Sequence, residues 1–265
     1  MRNLVVIVGD ARDRYVAEVA ASQGWSVKTW RVGDVDPTDL FDASLFCPVT
    51  GIDAEGRMLL PDGELRIDAS HIRRLSGQGF LAAGLVADPI VRIAKDFGIR
   101  VVSYRESEYF AWHNAVLTAE GALQAAISAS GKGLLGRPIA VLGFGRVGRS
   151  LAHRLSLLGA EVHVLDQEAS HRASASSQGL IAHAIDPIHL DSIDMLFNTI
   201  PYPVITRMWE RLLMDVPIFE LASAPGGVAP EVDRAKLSLH VLSGLPGKTA
   251  PIRAAEIAWE TVMGD

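Results

Sequence analysis

The sequence has little of what several classes of protein require. It contains one cysteine, Cys47, so no disulfide can form within the chain. Its 265 residues include 25 Lys or Arg against 31 Asp or Glu, which gives a formal net charge of −6, and cationic residues form no long run. Because binding of nucleic-acid phosphates depends on clustered cations, we expect no nucleic-acid partner. The pair Arg73 and Arg74 is interpreted as a solvated helix face.

Long apolar runs and several catalytic motifs are also missing. No stretch approaches the roughly 18 apolar residues of a membrane span, and the first apolar run meets Asp10 too early for a signal peptide. We therefore expect a cytoplasmic protein that does not bind membranes. The sequence contains no H-E-x-x-H, paired C-x-x-C, P-loop or G-x-S-x-G motif, which disfavours zinc hydrolases, kinases and serine esterases.

Short β-branched runs do alternate with helical patterns, which is typical of parallel sheets covered by helices. In the first part of the chain the pattern predicts strands at 3–9, 26–31, 44–49, 79–85 and 100–105, with helices near 11–23 and 88–97. Asp62 and Gly63 lie between two apolar arms, which predicts an exposed antiparallel hairpin over 58–67. We expect residues 1–115 to form a flavodoxin-like domain that binds the substrate.

A second series follows a helical stretch over 106–130. It predicts six strands, at 138–143, 161–166, 180–185, 194–200, 217–222 and 239–244, a number that suits a Rossmann dinucleotide-binding domain. An amphipathic segment at 252–263 would return to the first domain. The predicted class is therefore α/β with two doubly wound parallel sheets, and the range 116–265 holds the linker helix, the Rossmann domain and the C-terminal helix.

The segment VLGFGRVG, residues 141–148, has the spacing G-x-G-x-x-G between a predicted strand and a predicted helix. Gly143 would permit a tight turn, Gly145 would let the backbone approach a pyrophosphate, and Gly148 would let the helix pack closely. The N-terminus of this helix, with Arg146 and Val147, would offer unpaired N–H groups to the anion. The alternative is a glycine-rich turn that binds no ligand.

Asp166 closes the next predicted strand, where a carboxylate can accept hydrogen bonds from the adenosine ribose. A carboxylate at this position would repel a 2′-phosphate and so favours NAD over NADP. His171 and Arg172 follow closely and could neutralise such a phosphate, so either NAD or NADP remains possible.

Two further segments should lie at the carboxyl edge of the second sheet, where doubly wound folds bind ligands. The first contains Thr199, Ile200 and Pro201, for which an ordinary strand-to-helix turn is an equal alternative. The second runs from Ala222 to Gly227, and its paired glycines would permit close approach of a ligand.

Together these motifs resemble the A subunit of dipicolinate synthase. The similar segments, spread over nearly the whole chain, are GDAR (9–12), NAVLTAEGAL (114–123), VLGFGRVG (141–148), FNTIP (197–201), LASAPGG (221–227) and SGLPGKTAP (243–251). The resemblance implies an enzyme of the mother cell of spore-forming bacteria that works with the synthase's flavoprotein-like B subunit. It implies oxidation of a dihydrodipicolinate-type ring from the lysine pathway to dipicolinate, with hydride transfer to a cofactor usually described as NADP. We also expect a homo-oligomer.

A small ring with two carboxylates requires cationic or N–H donors at two positions. Arg12, near the start of a predicted helix, would hold one carboxylate in a cleft between the domains. The alternative is an exposed ion pair of Arg12 with Asp10 or Asp13. Thr118 and Glu120 would orient the substrate, or else cap a helix start. The remaining candidates are Ser223, Lys248 and Thr249 for the anion pocket and His113 as a proton acceptor.

Two other functions compete with this interpretation. A 2-hydroxy acid dehydrogenase shares the two-domain plan, but it needs an Arg where SAPGGVA stands and a His paired with a carboxylate, and His240 has no acidic partner in sequence. A non-catalytic module that senses NAD(H) would need the glycine spacing alone.

Overall fold

The computed structural model of the chain describes residues 2–34, 42–131, 133–190 and 192–264. The chain divides into two compact units, one formed by Met1–Asn114 with Ala250–Asp265 and the other by Ala115–Thr249. The boundary predicted from the sequence lies at residue 115, and residues 250–265 were predicted to belong to the second range. In the structure this last segment groups with the first unit.

The first unit is built on a parallel sheet with one antiparallel hairpin. Its strands are β1 (Arg2–Ile7), β2 (Trp25–Trp30), β3 (Ala43–Phe46), β4 (Arg57–Leu60), β5 (Gly63–Arg66), β6 (Phe80–Ala83) and β7 (Arg100–Ser103). The sheet order is β2-β1-β3-β6-β7, and every pair in it is parallel. With the hairpin set aside this is the flavodoxin-like order 2-1-3-4-5.

Four α-helices of the described residues begin in this first part of the chain. They are α1 (Ala11–Ser22), α2 (Ala69–Ile72), α3 (Asp88–Asp96) and α4 (Glu108–Ser130), and α4 runs across the division between the units. Strand β3 and the last four residues of β1 are buried, as expected for a parallel sheet covered on both faces.

The hairpin differs from its prediction. Leu60 pairs with Gly63, so the two turn residues are Pro61 and Asp62, one position earlier than expected. Met58 is fully buried and Leu60 is nearly so, and both belong to the core of the first unit. The prediction of an exposed hairpin is therefore wrong for one of its two faces, because alternate side chains pack inward.

The second unit holds a six-stranded parallel sheet. Its strands are β8 (Pro138–Leu142), β9 (Glu161–Leu165), β10 (Ile181–His183), β11 (Met195–Asn198), β12 (Ile218–Glu220) and β13 (Leu239–Val241), and its later helices are α5 (Arg146–Leu157), α6 (Ala169–Ser177), α7 (Arg207–Leu213) and α8 (Leu245–Thr249). The order β10-β9-β8-β11-β12-β13 is the 3-2-1-4-5-6 order of dinucleotide-binding domains. The predicted Rossmann topology is confirmed.

The last helix, α9 (Pro251–Gly264), begins at a proline, whose fixed φ and missing N–H suit the first turn of a helix. Its Trp259 is buried and packs edge-on against Trp25, with ring centroids 5.5 Å apart. The Trp259 indole N–H donates to Gln23 Oε1 at 2.8 Å. The predicted return of the C-terminal helix to the first domain is thus confirmed.

Candidate active site

The glycine turn follows β8 directly. Gly143 has φ +90°, and its N–H donates to Leu165 O at 2.8 Å. A Cβ added at Gly143 would lie 2.6 Å from Thr199 Oγ1. Both the backbone conformation and the packing therefore require glycine at this position.

The other two glycines of the motif differ in what surrounds them. A Cβ at Gly148 would lie only 2.0 Å from Gly143 O, so this glycine lets α5 pack directly on the turn. A Cβ at Gly145 would meet no atom of the described residues within 4 Å, and the residue has a negative φ of −74°. Packing within the protein thus accounts for Gly143 and Gly148, whereas Gly145 leaves open space where a ligand can approach the backbone.

The N-terminus of α5 fits an anion. Gly145 is its N-cap residue, and no side chain of the described residues caps the first turn. The exposed Arg146 and the half-buried Val147 open the helix. The N–H groups of a helix's first turn have no acceptor within the helix, and together with the positive end of the helix dipole they favour a phosphate at this point. The residues present therefore fit the pyrophosphate of a dinucleotide.

Asp166 lies at the carboxyl end of β9, as predicted, and is nearly buried. Its Oδ2 accepts a hydrogen bond from Phe144 N at 2.7 Å, and its Oδ1 accepts one from Glu168 N at 2.8 Å. The carboxylate thus ties the middle of the glycine turn to the end of β9. This link was not predicted from the sequence, and the expected bond to a ribose stays a prediction.

Two nitrogen-bearing side chains of α6 contact Asp166, one at its carboxylate and one at its backbone carbonyl. His171 Nδ1 lies 3.1 Å from Asp166 Oδ2. Arg172 donates through Nη1 to Asp166 O at 2.9 Å and to Gln167 O at 2.7 Å. The end of β9 therefore combines one carboxylate with two groups that can bind an anion.

The segment after β11 is fixed by its own side chains. Asn198 Oδ1 accepts from Ile200 N at 3.1 Å, and Thr199 Oγ1 donates to Leu142 O at 2.8 Å. Ile200 is buried and Pro201 is exposed. These bonds hold the segment against the end of β8, next to the glycine turn.

Glu220 organises the second loop at this edge and was not singled out from the sequence. The nearly buried carboxylate accepts from Asn198 Nδ2 at 2.7 Å and Ala222 N at 3.0 Å through Oε1, and from Gly227 N at 2.8 Å through Oε2. A Cβ at Gly227 would lie 2.2 Å from Asn198 Nδ2. The sequence feature that could have pointed to Glu220 is an acidic residue near the end of the apolar run PIFELA. Ser223 lies exposed within the loop.

Thr118 and Glu120 lie in the middle of α4, so the alternative of a cap at a helix start is wrong. Thr118 is half-buried. The exposed Glu120 carboxylate lies 3.7 Å from Arg154 Nη2. Because Arg154 is eight residues after Arg146 along α5, this ion pair lies roughly 12 Å from the start of that helix.

The segment around α8 supports α4 within the second unit. Thr249 donates to Leu245 O at 2.8 Å, and a Cβ at Gly121 would lie 2.9 Å from Thr249 Oγ1. Lys248 is exposed. The Thr249 hydroxyl therefore bonds within its own helix, at a place where α4 and α8 pack closely.

The turn from Gly9 to Asp13 forms a second, separate constellation, in the first unit. Asp10 Oδ1 accepts from Arg12 N at 2.8 Å, while Asp13 Oδ2 accepts from Gly9 N at 2.8 Å and Asp10 N at 2.9 Å. Arg12 Nη2 lies 3.5 Å from Asp10 Oδ2, yet Arg12 is only 3% exposed. Arg12 therefore does pair with Asp10, as the alternative proposed, but the pair is not fully exposed, because the Arg12 guanidinium is buried.

Burial also changes the acid–base character of this constellation. It raises the pKa of Asp13 from 3.8 to about 7, and the neighbouring Asp10 carboxylate adds to the rise. Tyr104 donates its hydroxyl to Cys47 O at 3.2 Å, and burial raises the pKa of both side chains. Cys47 follows β3 and is fully buried in the core of the first unit.

The two histidines considered from the sequence have structural partners. His113 Nδ1 lies 2.8 Å from Tyr109 O, one turn earlier in α4. His240 lies in β13 and stacks on Phe219 with ring centroids 5.1 Å apart. Among the described residues, no group of three or more His, Cys, Asp or Glu side chains could hold a metal ion. No helix of the described part combines the length and apolar character of a membrane span.

Comparison with known proteins agrees with this geometry. Residues 109–209 match the family described as D-isomer specific 2-hydroxyacid dehydrogenase, NAD binding domain. The chain is 28% identical to the A subunit of dipicolinate synthase from Bacillus subtilis (strain 168) over 220 residues, which cover 81% of this chain and 74% of that protein.

Two solved structures share the fold over almost the entire chain. The A subunit of dipicolinate synthase from Bacillus halodurans superimposes with a TM-score of 0.82 at 24% identity, covering 99% of this chain and 97% of that one. Its counterpart from Bacillus subtilis gives 0.80 at 25% identity, with 99% and 95% covered. In sequence and in fold, this chain is therefore similar to the A subunit of dipicolinate synthase, as the motifs predicted. The family match over residues 109–209 supports an oxidoreductase-like role with a nicotinamide cofactor.

Proposed function

We propose that this protein is the oxidoreductase subunit of a dipicolinate synthase. In this proposal it converts a dihydrodipicolinate-type intermediate of the lysine pathway to dipicolinate and passes a hydride to NAD(P)+. The observation that supports it most is the glycine turn, where Gly145 has open space above the N-terminus of α5 while the other two glycines are required by packing. This is the arrangement that a dinucleotide needs.

The residues that would hold the cofactor all lie at one edge of the second sheet. The glycine turn and the first turn of α5 would bind the pyrophosphate, and Asp166 would bind the adenosine ribose while keeping the turn in place. Thr199, Ile200, Pro201 and Ala222 would border the cofactor further along that edge. When bound, the nicotinamide supplies the acceptor for the hydride.

Arg12 would hold a carboxylate of the substrate, because it is a buried cation with N–H groups that have no protein acceptor among the described residues. Thr118, Glu120 and Ser223 remain proposed substrate residues. Their exposure or half-burial leaves their side chains accessible, and the weak exposed ion pair with Arg154 would not hold Glu120 firmly.

We further propose that the protein acts in the cytoplasm of the mother cell of a sporulating bacterium, together with the B subunit of the synthase and as a homo-oligomer. The support is the similarity to a protein whose name makes it one of at least two different subunits. For the cofactor, Asp166 favours NAD, whereas His171 and Arg172 beside it would accommodate the 2′-phosphate of NADP.

The test is titration of the purified protein with NAD+ and NADP+ by calorimetry, followed by turnover with freshly generated dihydrodipicolinate. We expect binding of at least one nucleotide and growth of the reduced-nicotinamide absorbance. Gly145→Val should abolish nucleotide binding without unfolding the protein, because its side chain would enter open space above the turn. Gly77→Val is the matched control, since Gly77 also lacks neighbours within 4 Å among the described residues and has no positive φ.

Three outcomes would contradict the proposal in different ways. If neither NAD+ nor NADP+ binds, the cofactor assignment is removed altogether. Binding without turnover would support a module that senses NAD(H). Turnover of 2-hydroxy acids in place of the dihydro ring would support a relative of the 2-hydroxy acid dehydrogenases.

A further inference from the structure

The first unit contains four buried side-chain polar atoms that have no hydrogen-bond partner among the described residues. One is Trp30 Nε1, and the other three lie in two consecutive residues. These three are Arg12 Nε, Arg12 Nη1 and Asp13 Oδ1, in neighbouring side chains that are 3% and 1% exposed. A buried donor or acceptor left without a partner costs roughly 1–3 kcal/mol, and more when it is charged. Buried polar atoms are satisfied in the great majority of cases, so three exceptions in two consecutive residues point to a ligand.

Each of the two side chains is fixed by its other atoms. Asp13 Oδ2 accepts two backbone hydrogen bonds, from Gly9 N and Asp10 N, so Oδ1 has a fixed position. Arg12 Nη2 is within 3.5 Å of Asp10 Oδ2. Gly9, which begins the turn, is closely packed, because a Cβ added there would lie 3.0 Å from Leu60 Cδ2 and Pro48 Cγ.

We propose that Arg12 and Asp13 form one binding site in the first unit for a small ring dicarboxylate, in which Arg12 holds a carboxylate and Asp13 Oδ1 makes a hydrogen bond to the ring nitrogen. The choice of a ring dicarboxylate rests on the proposed function. The pairing of the Arg12 donor with the titratable Asp13 carboxyl rests only on the unpartnered buried atoms of these two residues in the first unit.

The chemistry of Asp13 decides which ring it prefers. A protonated carboxyl donates to a pyridine nitrogen, which is an acceptor, whereas an ionised carboxylate accepts from a ring N–H. Burial, the largest cause, and Asp10 both raise the Asp13 pKa to about 7, against the opposing effect of Arg12 and two backbone N–H groups. The other ionisable groups coupled to Asp13 are Cys47 and Tyr104, both neutral near pH 7 because burial raises their pKa values.

A pyridine dicarboxylate should therefore bind together with a proton. Below pH 7 Asp13 already carries this proton, whereas above pH 7 binding must take it up from solution. Affinity for pyridine-2,6-dicarboxylate should fall by up to about tenfold per pH unit above pH 7, as linkage of one proton requires. Benzene-1,3-dicarboxylate, which has the same carboxylates and no ring nitrogen, should bind more weakly at pH 6.

The experiment is calorimetry of the full chain with these two diacids between pH 6 and 8.5, in buffers of different ionisation enthalpy. Asp13→Asn should keep the bonds from Gly9 and Asp10 through its amide oxygen and place an NH2 donor where Oδ1 stands. We expect this variant to bind pyridine-2,6-dicarboxylate with no proton uptake and with affinity that no longer depends on pH. Glu18→Gln, on the exposed face of α1, is its matched control.

Arg12→Met should lower the affinity for both diacids at least tenfold. Arg14→Met, at an exposed neighbouring residue, should leave both affinities unchanged. Arg12→Lys keeps a charge in place and serves as the second variant should Arg12→Met fail to fold. The proposal is overturned if the wild-type protein takes up neither diacid at pH 6, if Arg12 substitution has no effect, or if proton uptake persists in Asp13→Asn. Nucleotide titration on the same samples keeps the two ideas apart, since loss of nucleotide binding with intact diacid binding removes only the proposed redox function.

Discussion

At the N-terminus of α1, the buried Asp13 makes the free energy of unfolding depend on pH. In the unfolded chain it releases its proton near pH 4, whereas burial in the folded chain holds its pKa at about 7. Between these values the folded state binds one proton more than the unfolded state, so stability falls as pH rises. Below about pH 4 both states are protonated and the contribution is fully present, and above about pH 7 it is lost.

We therefore expect Asp13→Asn to gain stability relative to the wild-type protein between pH 4.5 and 7, by up to about 1.4 kcal/mol per pH unit. Urea unfolding followed by tryptophan fluorescence can measure this, because Trp25, Trp30, Trp112 and Trp259 lie in the first unit and only Trp209 lies in the second. Glu18→Gln should follow the wild-type curve. If the free energy of unfolding varied with pH in the same way for Asp13→Asn and the wild-type protein, the pKa of Asp13 would not be raised by folding, and the prediction would be wrong.

Glu220 is a residue where a conservative change should be costly. All three groups that bond to it are donors, two of them backbone N–H groups. Glu220→Gln would turn an NH2 group toward one of these donors, and we expect a loss of about 1–3 kcal/mol in the second unit. Thermal unfolding by circular dichroism would show it, with the exposed Glu231→Gln as a control that changes little.

Single residues also show what the sequence could predict. Gly143 and Gly148 were correctly placed because a strand, a turn and a helix follow each other locally, so spacing alone defines their geometry. The bond from Phe144 N to Asp166 and the bonds of Glu220 to Asn198 and Gly227 join residues 7 to 22 positions apart. Such bonds depend on how neighbouring strands are ordered, which no local spacing contains.

At the scale of elements, the βαβ unit from β8 to β9 behaves as one packed piece. The five strands of the first sheet and the six of the second were predicted within about three residues at each end, because strands of a parallel sheet covered by helices give short, largely apolar runs. The hairpin turn was displaced by one residue, since Pro61-Asp62 and Asp62-Gly63 both have turn chemistry and the inward packing of Leu60 selects between them.

The glycines of that βαβ unit should separate packing from ligand binding. Gly148→Ala would press a Cβ against Gly143 O, and we expect a loss of roughly 1–3 kcal/mol together with the loss of nucleotide binding. Gly145→Ala should leave thermal unfolding almost unchanged while weakening nucleotide binding. Equal stability loss in both variants would mean that Gly145 is also a packing glycine and would remove its assignment as the ligand-facing one.

At the scale of the whole molecule, the chain builds one unit from two separated segments. The core of the first unit depends on α9, which brings seven buried residues, including Trp259, back from the C-terminus. The second unit is continuous from Ala115 to Thr249 and contains every residue proposed to bind the cofactor. The two units should therefore respond differently to loss of the C-terminus.

Truncation after Thr249 tests this difference. Without α9, Trp25 and Phe80 lose the indole that packs against both, and Gln23 loses its hydrogen-bond donor. Burial of one such tryptophan alone is worth about 3–5 kcal/mol, which is a large part of a domain's stability. We expect the truncated chain to lose the cooperative fluorescence transition of Trp25 and Trp30 while it still binds a nicotinamide nucleotide in calorimetry. If nucleotide binding were lost together with that transition, the second unit would depend on the first for its fold, and the continuity of its chain would not be enough to make it independent.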